Sequence, residues 1–138
     1  MRSILIVDDE IGIRESLRMI LEKDYEVFLA KNAKEAFSQI EEHSPEVILL
    51  DVTLPDLDGL RVLERIKQND PKIIVIVITG EMTEKMVLEA KRLRTRYVTK
   101  PFDIDELRLI IARSLSAKAL FTLTINHQLP DYLAIEDK

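Results

Sequence analysis

The stretch Ser3-Ile4-Leu5-Ile6-Val7-Asp8-Asp9-Glu10 sets an unbroken apolar run directly against three carboxylates. A short run of Ile, Leu and Val with no polar alternation reads as a strand buried on both faces of a parallel sheet. Two more such runs follow. Val47 to Leu50 ends in Asp51, and Ile73 to Ile78 ends in Thr79. A weaker pair, Tyr25 to Ala30 and Tyr97 to Thr99, completes five, the last leading into Lys100 and Pro101.

Between the runs, apolar residues recur at spacings of three and four: Ile13, Leu17, Ile20 and Leu21, then Ala33, Ala36, Phe37 and Ile40, then Leu60, Leu63 and Ile66. Each stripe can cover one face of a sheet. Two more helices are expected at about Thr83 to Arg92, with Thr83 as N-cap, and Asp103 to Ser116, where Asp103 and Glu106 fit a variant of the capping box. Strand and helix therefore alternate five times. That order predicts an α/β fold, a doubly wound five-stranded parallel sheet with helices on both faces. In such folds ligands sit at the carboxyl ends of the strands, near the point where strand order reverses.

At 138 residues the chain suits one domain of ordinary size. Hydrophobic residues make up 46% and charged residues 33%, which excludes a disordered or low-complexity chain. The net charge of −5 argues against general nucleic-acid binding, since phosphate neutralisation needs an excess of Lys and Arg. With no Cys there are no disulfides, thiolate metal sites or cysteine nucleophiles. No run approaches the ~20 apolar residues that cross a bilayer, and no leader pattern stands at the start, so a cytoplasmic address with no membrane role is expected. After Ser116 the alternation stops. Residues 1–118 are expected to form the domain, and 119–138 a linker or tail without an output domain; Ala119 to Ile125 is apolar and β-prone, and Gln128 to Asp131 turn-like.

The chemistry concentrates at the strand ends. Asp8, Asp9 and Asp51 brought to one sheet edge repel each other unless a cation lies among them, and hard oxygen ligands of this kind suit Mg²⁺. A carboxylate with a divalent ion, a lysine and a hydroxyl around it is arranged for phosphoryl transfer, where positioning and charge neutralisation do most of the catalysis. Asp51 is then the nucleophile and phosphoacceptor. Asp8 and Asp9 hold the ion, Lys100 pairs with Asp51 or the incoming phosphoryl oxygens, and Thr79 hydrogen-bonds to the phosphoryl group. Asp56 and Asp58 read as ordinary turn and helix-start residues. His43 and His127 stand apart from the site as surface residues, and the basic run Lys91, Arg92, Arg94, Arg96 reads as a solvated face.

Four segments together resemble the response-regulator receiver family of two-component signalling. They are Ile4-Leu5-Ile6-Val7-Asp8-Asp9-Glu10, Leu49-Leu50-Asp51-Val52-Thr53-Leu54-Pro55-Asp56-Leu57-Asp58-Gly59, Val77-Ile78-Thr79-Gly80 and Val98-Thr99-Lys100-Pro101-Phe102. The resemblance covers roughly residues 2 to 118 and implies a flavodoxin-like (βα)5 fold. It implies phosphorylation of Asp51 by a sensor histidine kinase or phosphotransfer protein, and Mg²⁺ bound by Asp8, Asp9, Asp51 and the backbone carbonyl of Thr53. It also implies switching through Thr79 and Tyr97, a cis turn at Lys100-Pro101, and signalling or homodimerisation through the face of helix four, strand five and helix five. The only enzymatic acts it implies are self-phosphorylation and autodephosphorylation. Where many members carry Gly-Ala before the fifth strand, this chain has Leu93-Arg94-Thr95-Arg96, so a glycine cap on helix four is missing.

Three other classes compete. A haloacid-dehalogenase-like phosphatase also uses an aspartate nucleophile with Mg²⁺ and a lysine, but needs a second Asp two residues on, where this chain has Thr53. A flavodoxin-like cofactor binder shares the fold, although no hydroxyl-rich phosphate loop follows the first strand. A scaffold that works without phosphorylation would not need the acidic, hydroxyl and lysine positions that are all present here.

Overall fold

The computed structural model describes residues 1–125. Five strands form one parallel sheet: β1 (Ser3–Val7), β2 (Glu26–Ala30), β3 (Val47–Asp51), β4 (Ile74–Thr79) and β5 (Arg96–Thr99). They alternate with helices α1 (Ile11–Leu21), α2 (Ala33–His43), α3 (Gly59–Asn69), α4 (Glu84–Arg92) and α5 (Ile104–Ile125). The strand order is β2-β1-β3-β4-β5. Consecutive strands step one way from β1 to β2 and the other way from β3 onward, so the order reverses between β1 and β3, where Asp8 and Asp51 end their runs.

Residues 1–103 form one compact unit, and the described residues from Ile104 onward belong to another. In the first, the central strands are buried on both faces, as their unalternating sequences require. Leu5, Val7, Ile48, Leu50, Val75 and Val77 share one apolar cluster with Ala33 and Ala36 of α2 and with Val62, Leu63 and Ile66 of α3. Their alternate neighbours Ile4, Ile6, Leu49 and Ile76 are also fully buried, and helix α1, which lies against β1 and β2, buries Leu17 and Leu21. The period-2 geometry of a strand thus serves two layers from one continuous run.

The helix ends are chemically specified. Thr83 caps α4, its Oγ1 accepting the Met86 N–H at 3.2 Å, as the sequence predicts. At the far end of α4 the missing glycine has a visible consequence: Arg94 adopts a left-handed backbone with φ of 54°, while the N–H of Thr95 bonds the Ala90 carbonyl at 2.7 Å. A side chain in that region is strained by about 1–2 kcal/mol, partly offset by the extra unfolded-state freedom of glycine. Arg94→Gly is therefore expected to stabilise the fold by about 0.5–1 kcal/mol, raising the thermal midpoint by a few degrees, and a lowered midpoint would contradict the strain.

Helix α5 departs from expectation. It was expected to end near Ser116, with Ala119 to Ile125 an apolar, β-prone linker; instead the helix continues to Ile125, across the expected boundary at 118. Once nucleated, a helix gains one hydrogen bond per residue fixed, and Ala117, Lys118, Ala119 and Leu120 are good helix formers with no Gly or Pro before Pro130. Propagation overrides the strand preference of the following residues. Leu107, Ile111 and Leu115 mark its buried stripe at four-residue spacing. The turn expected at Gln128 to Asp131, the rest of the 119–138 tail, and His127 lie outside the described residues.

Candidate functional site

The site lies within residues 1–103, at the carboxyl ends of β1, β3, β4 and β5. Asp8 follows β1 and Asp51 closes β3; both are buried, at 3% and 4% exposure, although each carries a carboxylate. Buried carboxylates need a counter-charge or donors. Lys100, directly after β5, supplies one: its Nζ lies 3.0 Å from Asp8 Oδ2 and 3.1 Å from Asp51 Oδ2. The Lys100 N–H is fixed in turn to the Thr79 carbonyl at 2.7 Å, and the Lys100–Pro101 peptide is cis, as the resemblance implies.

The remaining carboxylate oxygens take backbone donors. The N–H of Thr53 donates to Asp51 Oδ1 at 2.8 Å, which curls the loop after β3 back over the Asp51 carboxylate. The N–H of Glu10 donates to Asp8 Oδ1 at 2.9 Å, and Arg14 Nη1 holds the Asp8 carbonyl at 2.7 Å. Burial pushes the Asp8 carboxyl above its ordinary value, with the Glu10 amide and Lys100 opposing that rise. For Lys100, burial disfavours the ammonium, but the hydrogen bonds and charges of Asp8 and Asp51 outweigh it and hold the pKa above the ordinary lysine value.

Carboxylate oxygens of Asp8, Asp9 and Glu10 lie within 4.8 Å of one another, with Asp9 and Glu10 exposed to solvent. This donor set fits a hard divalent cation: the oxygens are close enough to share an ion, and the burial that raises the Asp8 pKa gives it reason to accept one. Glu10 belongs to the cluster although the expected ligand set left it out. The signal was its adjacency to Asp8 and Asp9. Of the expected ligands, Asp51 stands outside this cluster and meets Asp8 on Lys100, while Thr53 touches Asp51 through its amide.

Thr79, at the end of β4, is fully buried, and its hydroxyl is engaged locally, donating to the Glu81 carbonyl at 3.1 Å and accepting the Glu81 N–H at 3.3 Å. Tyr97 on β5 is 41% exposed. In this conformer the Thr79 hydroxyl is satisfied within a turn and Tyr97 stands partly in solvent.

The loop from Val52 to Gly59 is pinned at several points. Gly59 is buried against the Val52 backbone, and its N–H donates to the Val52 carbonyl at 3.2 Å. Asp58 caps α3, accepting the Leu60 N–H at 3.0 Å. Asp56, expected to be an ordinary turn residue, bonds another element instead: Oδ1 accepts the Ala33 N–H at 2.9 Å and Oδ2 the Lys34 N–H at 3.1 Å, at the start of α2. Those bonds hold the Asp56 carboxyl below its ordinary value. A depressed folded-state pKa means stabilisation that is present above the unfolded aspartate value of about 3.9 and is lost as pH falls through the lower folded value. Amide proton shifts of Ala33 and Lys34 should accordingly titrate together, with a midpoint below that of a free aspartate; a midpoint at or above it would contradict the contact.

The Lys100 ammonium occupies oxygens of Asp8 and Asp51 that a cation also seeks. An ammonium and a divalent cation drawn to the same oxygens repel, by about 2–8 kcal/mol if about 4 Å separates them, between the dielectric of water and that of a partly exposed site. Lys100→Ala is therefore expected to tighten Mg²⁺ binding by about tenfold in a calorimetric titration. Unchanged or weaker binding would contradict the shared placement.

The response regulator receiver domain family matches this chain over residues 4–112. The chain is 38% identical over 118 residues to sporulation initiation phosphotransferase F of Bacillus subtilis, a match covering 84% of this chain and 95% of that protein. It is 34% identical over 116 residues to chemotaxis protein CheY of the same organism, covering 82% and 97%. Against regulatory protein AtoC of Escherichia coli it is 34% identical over 119 residues, 85% of this chain but only 26% of that longer protein. A solved response regulator receiver domain protein (CheY-like) from Methanospirillum hungatei superposes with a TM-score of 0.83 at 30% identity, covering 86% and 97%.

A doubly wound sheet with this cluster of carboxylates and a lysine at its switch point defines the signalling receivers of two-component systems. The chain belongs to the response regulator receiver domain family. It is accordingly a signalling module and not an enzyme of the ordinary kind, and the dehalogenase-like alternative is not supported. Among the described residues, no helix is long and apolar enough to cross a membrane.

Proposed function

We propose that Asp51 accepts a phosphoryl group from a histidine kinase or phosphotransfer protein, and that the chain relays this event by a shift in the conformation of α4 and β5. The observation that carries the reading is the meeting of Asp8 and Asp51 on one lysine at the reversal point of the sheet. Asp51 Oδ1 accepts the Thr53 amide and Oδ2 the Lys100 ammonium, which fixes the orientation of the carboxylate. Asp8, Asp9 and Asp51, with the Thr53 carbonyl and the adjacent Glu10, are the groups that would hold Mg²⁺, which when bound supplies charge neutralisation for phosphoryl oxygens. Lys100 adds a second positive charge beside the same carboxylate.

Switching then follows from local bonds. A phosphoryl group on Asp51 offers Thr79 a charged acceptor stronger than the Glu81 carbonyl, and favours the conformer in which the hydroxyl leaves its turn and Tyr97 moves inward. Replacing Lys100 with Ala uncouples this shift from phosphorylation. Within this reading residues 1–118 act as the receiver unit and 119–138 as a linker or tail, the protein is cytoplasmic, its own catalysis is limited to self-phosphorylation and autodephosphorylation, and it makes no direct contact with nucleic acid. Self-association through the face that carries α4 and β5 is part of the same proposal.

The test is incubation with acetyl phosphate. The expected result is one Mg²⁺-dependent, alkali-labile phosphoryl group per chain, prevented by a chelator. No label, or sustained turnover of an added phosphomonoester, would overturn the proposal.

A further inference from the structure

The start of a helix leaves its first amides without intrahelical partners, and each must find an acceptor. At α2 the local sequence supplies only part of the answer. Asn32 caps in the usual way, its Oδ1 accepting the Glu35 N–H at 2.8 Å, and its carbonyl accepts the Ala36 N–H at 3.0 Å. The two amides between them, of Ala33 and Lys34, are taken by Asp56 alone, one by each carboxylate oxygen, from 23 and 22 residues away. Glu35 meanwhile folds back on the Lys31 N–H at 3.0 Å, so no other side chain of this turn is drawn to those amides.

Asp56 stands three residues after Thr53 in the loop whose far end is closed by Gly59 on Val52 and by Asp58 on α3. Without Asp56, the middle of that loop has an exposed Pro55 on one side and half-buried Leu54 and Leu57 around it. The Asp56 contacts are the polar tie between its midpoint and another element. The tie also has a favourable direction, since a carboxylate at a helix N-terminus meets both free N–H groups and the positive end of the macrodipole.

We propose that Asp56 is a positioning residue for the metal: by clamping the loop to the start of α2, it fixes the segment that carries the Thr53 carbonyl, one of the groups that would hold Mg²⁺. The inference rests on the proposed role of the site and deepens it, adding a residue that touches neither the ion nor the phosphoryl group. Outer partners that orient metal ligands typically change affinity by about 10–100-fold when removed.

Labelling by acetyl phosphate across a Mg²⁺ titration separates the two effects, with direct calorimetric Mg²⁺ binding beside it. In Asp56→Ala, half-saturation should shift to about tenfold higher Mg²⁺ while the rate at saturating Mg²⁺ stays near that of the unaltered chain. Asp56→Asn keeps one oxygen acceptor but no charge and should fall between the two. A half-saturation unchanged in Asp56→Ala, or a loss in the plateau rate alone, would overturn the clamp. An Asp56→Asn response equal to that of Asp56→Ala would do so as well, since a long-range charge effect would then suffice. Should Asp56→Ala not fold, Asp56→Asn against the unaltered chain decides the matter by the same shift. Failure of the unaltered chain to label would overturn the proposed function instead, and the calorimetric titration would still judge Asp56 by metal binding alone.

Discussion

Asp51→Asn is expected to give a folded chain that takes no phosphoryl group from acetyl phosphate at any Mg²⁺ concentration. The two halves of that expectation have separate causes. Folding is retained because an Asn side-chain oxygen can still accept the Thr53 N–H now bonded to Asp51 Oδ1, and Lys100 keeps its contact with Asp8. Labelling is lost because a carboxamide lacks the anionic oxygen that attacks phosphorus, and the neighbouring carboxylates do not replace it. Asp8 Oδ2 is bound by Lys100 and Asp8 Oδ1 by the Glu10 amide, while Asp9 is open to solvent. Intact-mass spectrometry reads the outcome directly, and a labelled variant at the stoichiometry of the unaltered chain would refute the assignment.

Gly59→Ala should be the most damaging small substitution near the site. A Cβ built on Gly59 would lie 2.2 Å from Val52 Cα, 2.3 Å from its carbonyl oxygen and 2.5 Å from its carbonyl carbon. These are backbone atoms of the residue next to Asp51, so no side-chain rotation relieves the overlap. Either the start of α3 or the end of the strand must shift, breaking the Gly59 to Val52 hydrogen bond. Overpacking of this kind destabilises by about 1–3 kcal/mol or more. For a domain of this size the thermal midpoint should fall by roughly 5–10 °C. Because the displaced segment carries Thr53, phosphorylation should slow in parallel. A melting point within a degree of the parent would contradict the packing.

The parallel sheet was legible because its central strands are buried on both faces, which forces runs such as Ser3 to Val7 and Ile73 to Ile78 to be apolar throughout. The meeting of Asp8, Asp51 and Lys100 was legible for a related reason: in a doubly wound sheet the residue after each run arrives at the same edge, so these three could be brought together without knowing any loop. The cap at Thr83 was local and therefore readable as well. What escaped was either distant or decided by competition. Asp56 looked like a turn residue because its partners lie 22 and 23 residues upstream, and no local pattern announces an acceptor for another helix. Phe121 to Ile125 favours strand by composition, yet it follows a helix with nothing to stop it. Glu10 was visible beside Asp8 and Asp9, but only the spatial closeness of the three carboxylates ties it to the cation site. The engagement of the Thr79 hydroxyl with Glu81 depends on a two-residue turn after β4, a geometry that Thr79-Gly80-Glu81 permits but does not dictate.

The claim on which the rest depends is that Asp51 itself receives the phosphoryl group. Borohydride reduces an acyl phosphate to an alcohol and leaves free carboxylates intact, so treating the phosphorylated chain with it and sequencing the peptides reports the acceptor by position. The account predicts homoserine in place of Asp51 and unmodified Asp8, Asp9 and Asp56. Homoserine at any of those three, or phosphate retained on a hydroxyl or imidazole with Asp51 untouched, would contradict it.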